Sequence, residues 1–69
     1  MMTLYKLAKN NRGYRLRTFA DQLIVEHGFY DGKTFWVYDN TIYLNELQKL
    51  VALLMNYKQL NNFINQLKQ

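Results

Sequence analysis

"GYRLRTFADQLIVEHGFY", Gly13 to Tyr30, is the stretch that decides the fold. In its first half, Tyr14, Leu16 and Thr18 alternate with Arg15, Arg17 and Phe19. Side chains two apart point to the same side of a strand, so this alternation predicts a half-buried β-strand over 14–19. Ala20, Asp21 and Gln22 interrupt it. A second run rich in β-formers, Leu23 to Tyr30, predicts another strand over 23–30. A break this short joins antiparallel neighbours. The open question is what Arg15 and Arg17 do on one side of so apolar a pair.

Working outward, Asn10-Asn11-Arg12-Gly13 is a turn sequence in which Gly13 can supply a positive φ. It implies a preceding strand over 3–9. On the other side, Asp31-Gly32 is the strongest hairpin signal in the chain and leads to a strand over 33–38. The sequence therefore predicts a four-stranded antiparallel meander. Residues 41–44 either extend its last strand or lead into a helix. A four-residue first turn sets Lys6 opposite Arg17 and Leu7 opposite Leu16. A tight Asp-Gly turn sets Tyr30 opposite Lys33. Carried across the sheet, these registers give a core face of Tyr5, Leu7, Tyr14, Leu16, Leu23, Val25, Phe29, Trp36 and Tyr38. The other face holds Lys6, Ala8, Arg15, Arg17, Phe19, Glu26, Gly28, Tyr30, Lys33 and Phe35, with Glu26 as its sole acid.

From Asn45 onward the pattern becomes helical. Asn45 is a good N-cap, Glu46 suits the positive end of the helix dipole, and Gln48 completes a capping box. One helix over 45–67 is expected, and its apolar residues fall into two stripes. Leu47, Leu50, Val51 and Leu54 form one able to close over the sheet. Leu53, Tyr57, Leu60, Ile64 and Leu67 recur at spacings of four and three, the seam of a helix pair. The reading favours a homodimer built on that seam. The alternative is a helix broken between Asn56 and Gln59 whose second half folds back. The expected class is α+β, ββββα, in one domain spanning 1–69.

Sixty-nine residues bury only roughly 60% of the surface of the unfolded chain, and such domains commonly lean on a disulfide, a metal or a partner. The chain has no Cys and a single His, so disulfides are excluded and zinc is not expected. With 49% apolar residues, association is the remaining device. No stretch is long and apolar enough for a membrane span and no cleavable leader opens the chain, so a cytoplasmic protein is expected. The net charge is +4 and unevenly placed. Lys6, Lys9, Arg12, Arg15 and Arg17 all precede the first acid, Asp21; the other four bases and five acids sum to −1. Such asymmetry suits an anionic partner.

No catalytic constellation is visible. His27 falls on the core face as a packed residue, Asp21, Asp31 and Asp39 sit where turns want Asp, and no glycine-rich phosphate loop exists. An enzyme is not expected, and no cofactor or metal is implied. The basic-aromatic face remains. Lys6, Arg15, Arg17 and Lys33 can neutralise phosphates, with Arg12 adding a backbone contact from the first turn. Phe19, Tyr30 and Phe35 can stack on unpaired bases.

Two segments carry a family resemblance. "LRTFADQLIVEHGFY" is similar to the strand–short loop–strand segment of the positive-cofactor-four transcriptional coactivators and their bacterial and phage relatives. "TIYLNELQKL" is similar to their strand leading into a capped helix. The resemblance implies a helix-mediated dimer whose curved sheet binds single-stranded DNA on its open face, and a role in transcription regulation. It places the basic strand position on Arg17, the following aromatic on Phe19 and the tyrosine of the next strand on Tyr30. The function expected is non-catalytic binding of single-stranded DNA or RNA with little sequence preference. The alternative is a small protein-interaction module, such as a phage-type inhibitor or regulator, that docks on another protein.

Overall fold

The alternating runs become strands, and most of the departures from expectation lie in how they are joined. A computed structural model describes residues 2–39 and 41–68. It contains β1 (Thr3–Leu7), β2 (Arg12–Phe19), β3 (Gln22–Tyr30), β4 (Phe35–Val37) and β5 (Ile42–Leu44), then α1 (Glu46–Leu54) and α2 (Tyr57–Leu67). The class is α+β, with an antiparallel sheet in the order β1-β2-β3-β4. The sheet has five strands rather than four. β3 is nine residues long, and β4 covers only its Gly28–Tyr30 end. The chain then returns to the same edge, and β5 pairs with Leu23–Val25.

Each hairpin uses different turn chemistry. Between β1 and β2 the Ala8 amide donates to the Arg12 carbonyl, and Asn11 takes the positive φ of 63°. That is a three-residue loop with its last residue left-handed, a role Asn tolerates. Gly13 serves another purpose: a Cβ there would lie 2.2 Å from the Lys6 carbonyl oxygen. The resulting register sets Lys6 opposite Tyr14 and Thr3 opposite Arg17. It differs by an odd number of residues from the expected one, so β1 is turned over. Lys6 joins the helix-covered face, and Tyr5 and Leu7 join the other. Between β2 and β3, Phe19 faces Gln22 across a two-residue turn whose Ala20 and Asp21 both have positive φ, 49° and 66°, as a type I′ turn requires. Between β3 and β4, the Asp31 carboxylate accepts from the Lys33 and Thr34 amides, both at 2.8 Å, and builds a four-residue loop instead of the tight Asp-Gly turn. Tyr30 then faces Phe35, an even shift that leaves the faces unchanged.

The expected single helix is two helices. Asn56 repeats what Asn45 does. Its side chain accepts from the Gln59 amide at 2.9 Å, and the Gln59 side chain accepts from the Asn56 amide at 3.0 Å. A second capping box starts a second helix, with Met55 extended before it. The break also solves a covering problem. Four strands about 4.8 Å apart span about 14 Å, whereas one helix is about 10 Å across. Accordingly α1 packs against β3 and β5, and α2 packs against β1 and β2.

The two apolar stripes exchange roles. Leu60 and Ile64 are fully buried within the chain, in one core with Tyr14, Leu16, Leu23, Val25, Leu44 and Ala52. Leu53 and Tyr57 pack against that core, and Leu67 is partly exposed. The dimer seam read from Leu53, Tyr57, Leu60, Ile64 and Leu67 is thus largely intrachain packing. Leu47, Leu50, Val51 and Leu54 face outward instead, because α1 rests on the sheet through Ala52. Two polar contacts fasten the helices down. Lys6 Nζ donates to the Leu53 carbonyl at 3.1 Å, a cation at the negative end of α1. The Tyr14 hydroxyl donates to Asn61 Oδ1 at 2.7 Å. Burial, then the neighbouring Tyr57 and Asp39, push the Tyr14 pKa up to about 12. Among the described residues no helix is long and apolar enough to cross a membrane.

Candidate nucleic-acid interface

Both helices lie on one side of the sheet, so among the described residues the other side is left without a covering layer. Its residues follow from the registers. Arg15 faces Glu26, Arg17 faces Ile24, and Phe19 faces Gln22 across β2 and β3. Ile24 in turn faces Tyr43 on β5. Tyr5, Tyr30 and Phe35 gather at the far end. The expected companions Arg15, Arg17, Phe19, Tyr30 and Phe35 therefore do share a face, and Lys6 does not. Lys33 lies exposed in the loop before β4.

One end of this face is closed by its own rings. Gly13 and Gly28 sit opposite each other, and the missing side chains leave a trough. A Cβ on Gly28 would stand 2.8 Å from the Phe35 ring and 2.0 Å from the Trp36 carbonyl oxygen. Phe35 fills the space and is 6% exposed. Tyr5 stacks on Tyr30 with ring centroids 4.5 Å apart and lies 6.0 Å from Phe35. The Arg15 guanidinium sits 5.1 Å from the Phe35 centroid. Phe35 is consequently not offered to a ligand as expected, and Tyr30 already has a stacking partner.

In the middle stands Glu26, 5% exposed. Its Oε1 accepts from Arg15 Nε at 2.9 Å and from Arg17 Nε at 2.8 Å, and Oε2 lies 3.4 Å from Arg17 Nη2. A buried carboxylate needs such partners, because an unpaired charge out of water is costly. The arginine pair thus carries a net charge of +1, and part of its task is structural. Arg15 is the more committed: its side chain is 21% exposed, against 41% for Arg17. None of the Arg17 bonds uses Nη1.

The other end is open. Arg17, Phe19, Ala20, Gln22, Ile24 and Tyr43 line a groove of about 470 Å³. Phe19 and Tyr43 are 63% and 60% exposed, and Ile24 between them is nearly buried. Sequence reading missed Tyr43, Ile24 and Gln22. Tyr43 was out of reach because residues 41–44 had no assigned partner strand, and its face follows only from the pairing with Ile24. Tyr5 was missed through the register of the first hairpin.

No family model, curated protein or solved structure matches the chain.

Proposed function

We propose that the protein is a non-catalytic binding module that takes single-stranded nucleic acid on the uncovered face of its sheet, with little sequence preference. The observation that carries this reading is the open end of that face: an arginine with an unused Nη1 beside two exposed rings, on the side opposite both helices. Phosphate charge attracts the cation whatever the sequence, and rings stack on any base. Arg17, Phe19 and Tyr43 lead, with Lys33 and Arg15 contributing charge at the far end. The test is a fluorescence-anisotropy titration with an oligothymidylate strand and a duplex control at two salt concentrations. Affinity for the single strand falls log-linearly with salt, with a slope of about −1 to −2 for two phosphate contacts. Binding that ignores salt, or a duplex that binds as tightly, overturns the reading.

A second reading, association with protein, draws on a different surface. Leu47, Leu50, Val51 and Leu54 are exposed by 73%, 58%, 37% and 88%. Their spacing is symmetric about the point between Leu50 and Val51, so two antiparallel copies of α1 place apolar on apolar throughout, as an isologous contact requires. The nearest charges, Glu46 and Lys49, pair within the helix at 3.2 Å and set no like-charge barrier. Four exposed aliphatic side chains on one helix are a contiguous apolar patch, well short of the about 800 Å² per partner of a standard interface. The occupant it suits is a second copy of the chain in a weak, concentration-dependent dimer. Sedimentation over a wide concentration range tests this. Leu54→Glu abolishes the dimer without unfolding the chain; a wild-type monomer at every concentration removes the proposal.

A further inference from the structure

We infer that the groove between Phe19 and Tyr43 is a seat for one unpaired nucleobase, with Ile24 as its floor, the Gln22 amide at its edge and Arg17 holding the adjoining phosphate. This rests on the single-strand reading above and assigns its ligand to one place. Arg17, Ile24 and Tyr43 form one row across β2, β3 and β5, and Phe19 stands opposite Gln22 at the next outward position. The walls therefore stand two strand spacings apart, about 9.5 Å, and one same-face step apart along the strands, about 7 Å, so their backbones are about 12 Å from each other on the diagonal. A ring held between two others needs about 7–8 Å at ordinary contact distances. Phe19 and Tyr43 are both exposed and long enough to lean inward across the Ile24 floor and close on one planar ring. The volume lies at the lower end of small-ligand sites, about 300–1,000 Å³.

The lining selects among ligands. An apolar floor and two exposed rings disfavour a bare anion, and the adjacent cation is half neutralised by Glu26. Among the described residues no carboxylate lines the groove to repel a phosphodiester. The Gln22 amide offers both a donor and an acceptor, so it can meet the edge of any base. A flat, polar-edged ring attached to a monoanion satisfies all of these groups together, and a nucleotide within a strand has that chemistry.

The experiment compares an oligothymidylate with an abasic strand of equal length, by anisotropy, on the wild type and on Tyr43→Ala, Phe19→Ala and Tyr43→Phe. The side chains changed are exposed, and thermal melts verify that each variant is folded. The wild type prefers the base-bearing strand by about 5- to 150-fold, the span of one base–aromatic stack. Tyr43→Ala and Phe19→Ala each shrink that preference while leaving the salt slope unchanged, and Tyr43→Phe restores it. If both strands bind with the expected salt dependence and the alanine variants leave the preference intact, the seat is wrong and the binding face stands. If neither strand binds, the face reading fails and the seat with it.

Discussion

The two ends of the uncovered sheet face are built from the same kinds of residue and reach opposite outcomes. At the glycine end, Gly13 and Gly28 remove two side chains from adjacent strands. Phe35, Tyr5, Tyr30 and the Arg15 guanidinium then fall together. At the hairpin end, Ile24 and Gln22 fill the sheet surface, and Phe19 and Tyr43 stand on either side with no ring to meet. An aromatic residue beside a hole packs; one beside a filled floor is left for something else. Basic and aromatic residues sharing a face therefore do not by themselves make a binding surface, because the floor between them decides whether they are free.

The strongest way to break the contrast is to fill the trough. Gly28→Ala places a methyl group against the Trp36 carbonyl and the Phe35 ring, so β4 has to leave β3. The expected cost is about 3 kcal/mol, at the upper end of overpacking penalties. Urea unfolding measures it, and an unaltered midpoint would show that Phe35 does not depend on the missing side chain. Next in size is Glu26→Gln, which keeps the shape and removes the charge both arginines hold. Stability falls by about 1.5 kcal/mol, the low end for hydrogen bonds to charged groups, because both arginines reach water. Affinity for a single strand rises, and its salt slope steepens by about 0.7 for each phosphate gained. Loss of affinity instead would mean that Glu26 positions the arginines for the ligand.

At the open end, Ala20 and Asp21 occupy left-handed positions that cost L-residues free energy. Replacing them with Asn-Gly, the favoured type I′ pair, should raise stability by about 1 kcal/mol. Thermal melting reads the gain, and a loss would argue against the two-residue turn that positions Phe19. The smallest effect lies at the border of the closed end. The Asp31 carboxyl is held below the ordinary carboxylate range by the Thr34 amide first, then by the Trp36 indole and the Lys33 amide. Its folded pKa is depressed, so its stabilisation is complete above the ordinary carboxylate pKa and is lost as pH falls through the lowered one. Trp36 is the chain's one tryptophan and donates to Asp31 Oδ2 at 3.0 Å, so its emission reports the change. Asp31→Asn should remove that acid transition; an identical transition in the variant would assign it to another group.

What the sequence revealed and what it hid divide along one physical line. Alternation along a strand is local, and it placed Arg15, Arg17 and Phe19 on one face directly from the sequence. Register between strands is set in the turns. An error of two residues at the Asp31 loop did no harm, because faces repeat every two residues. The odd error at the first hairpin exchanged Tyr5 with Lys6. It arose from assigning the positive φ to Gly13, when Asn11 takes it and Gly13 is needed for close approach to the Lys6 carbonyl. The helix break was written in the chain as a second Asn-x-x-Gln at Asn56–Gln59, copying Asn45–Gln48. Which apolar stripe would be buried was not written there. It depends on the sheet being too wide for one helix, a property of the assembled strands. Tyr43 was hidden for the same reason, since its face exists only once β5 has found β3.

Whether a strand binds at the hairpin end of the bare face is decided by the salt dependence of oligothymidylate binding to the wild type and to Arg17→Ala. Log-linear weakening is expected in the wild type and a slope shallower by about 0.7 in the variant, the loss of one phosphate contact. Equal slopes with equal affinity would place the ligand elsewhere and contradict binding at that end.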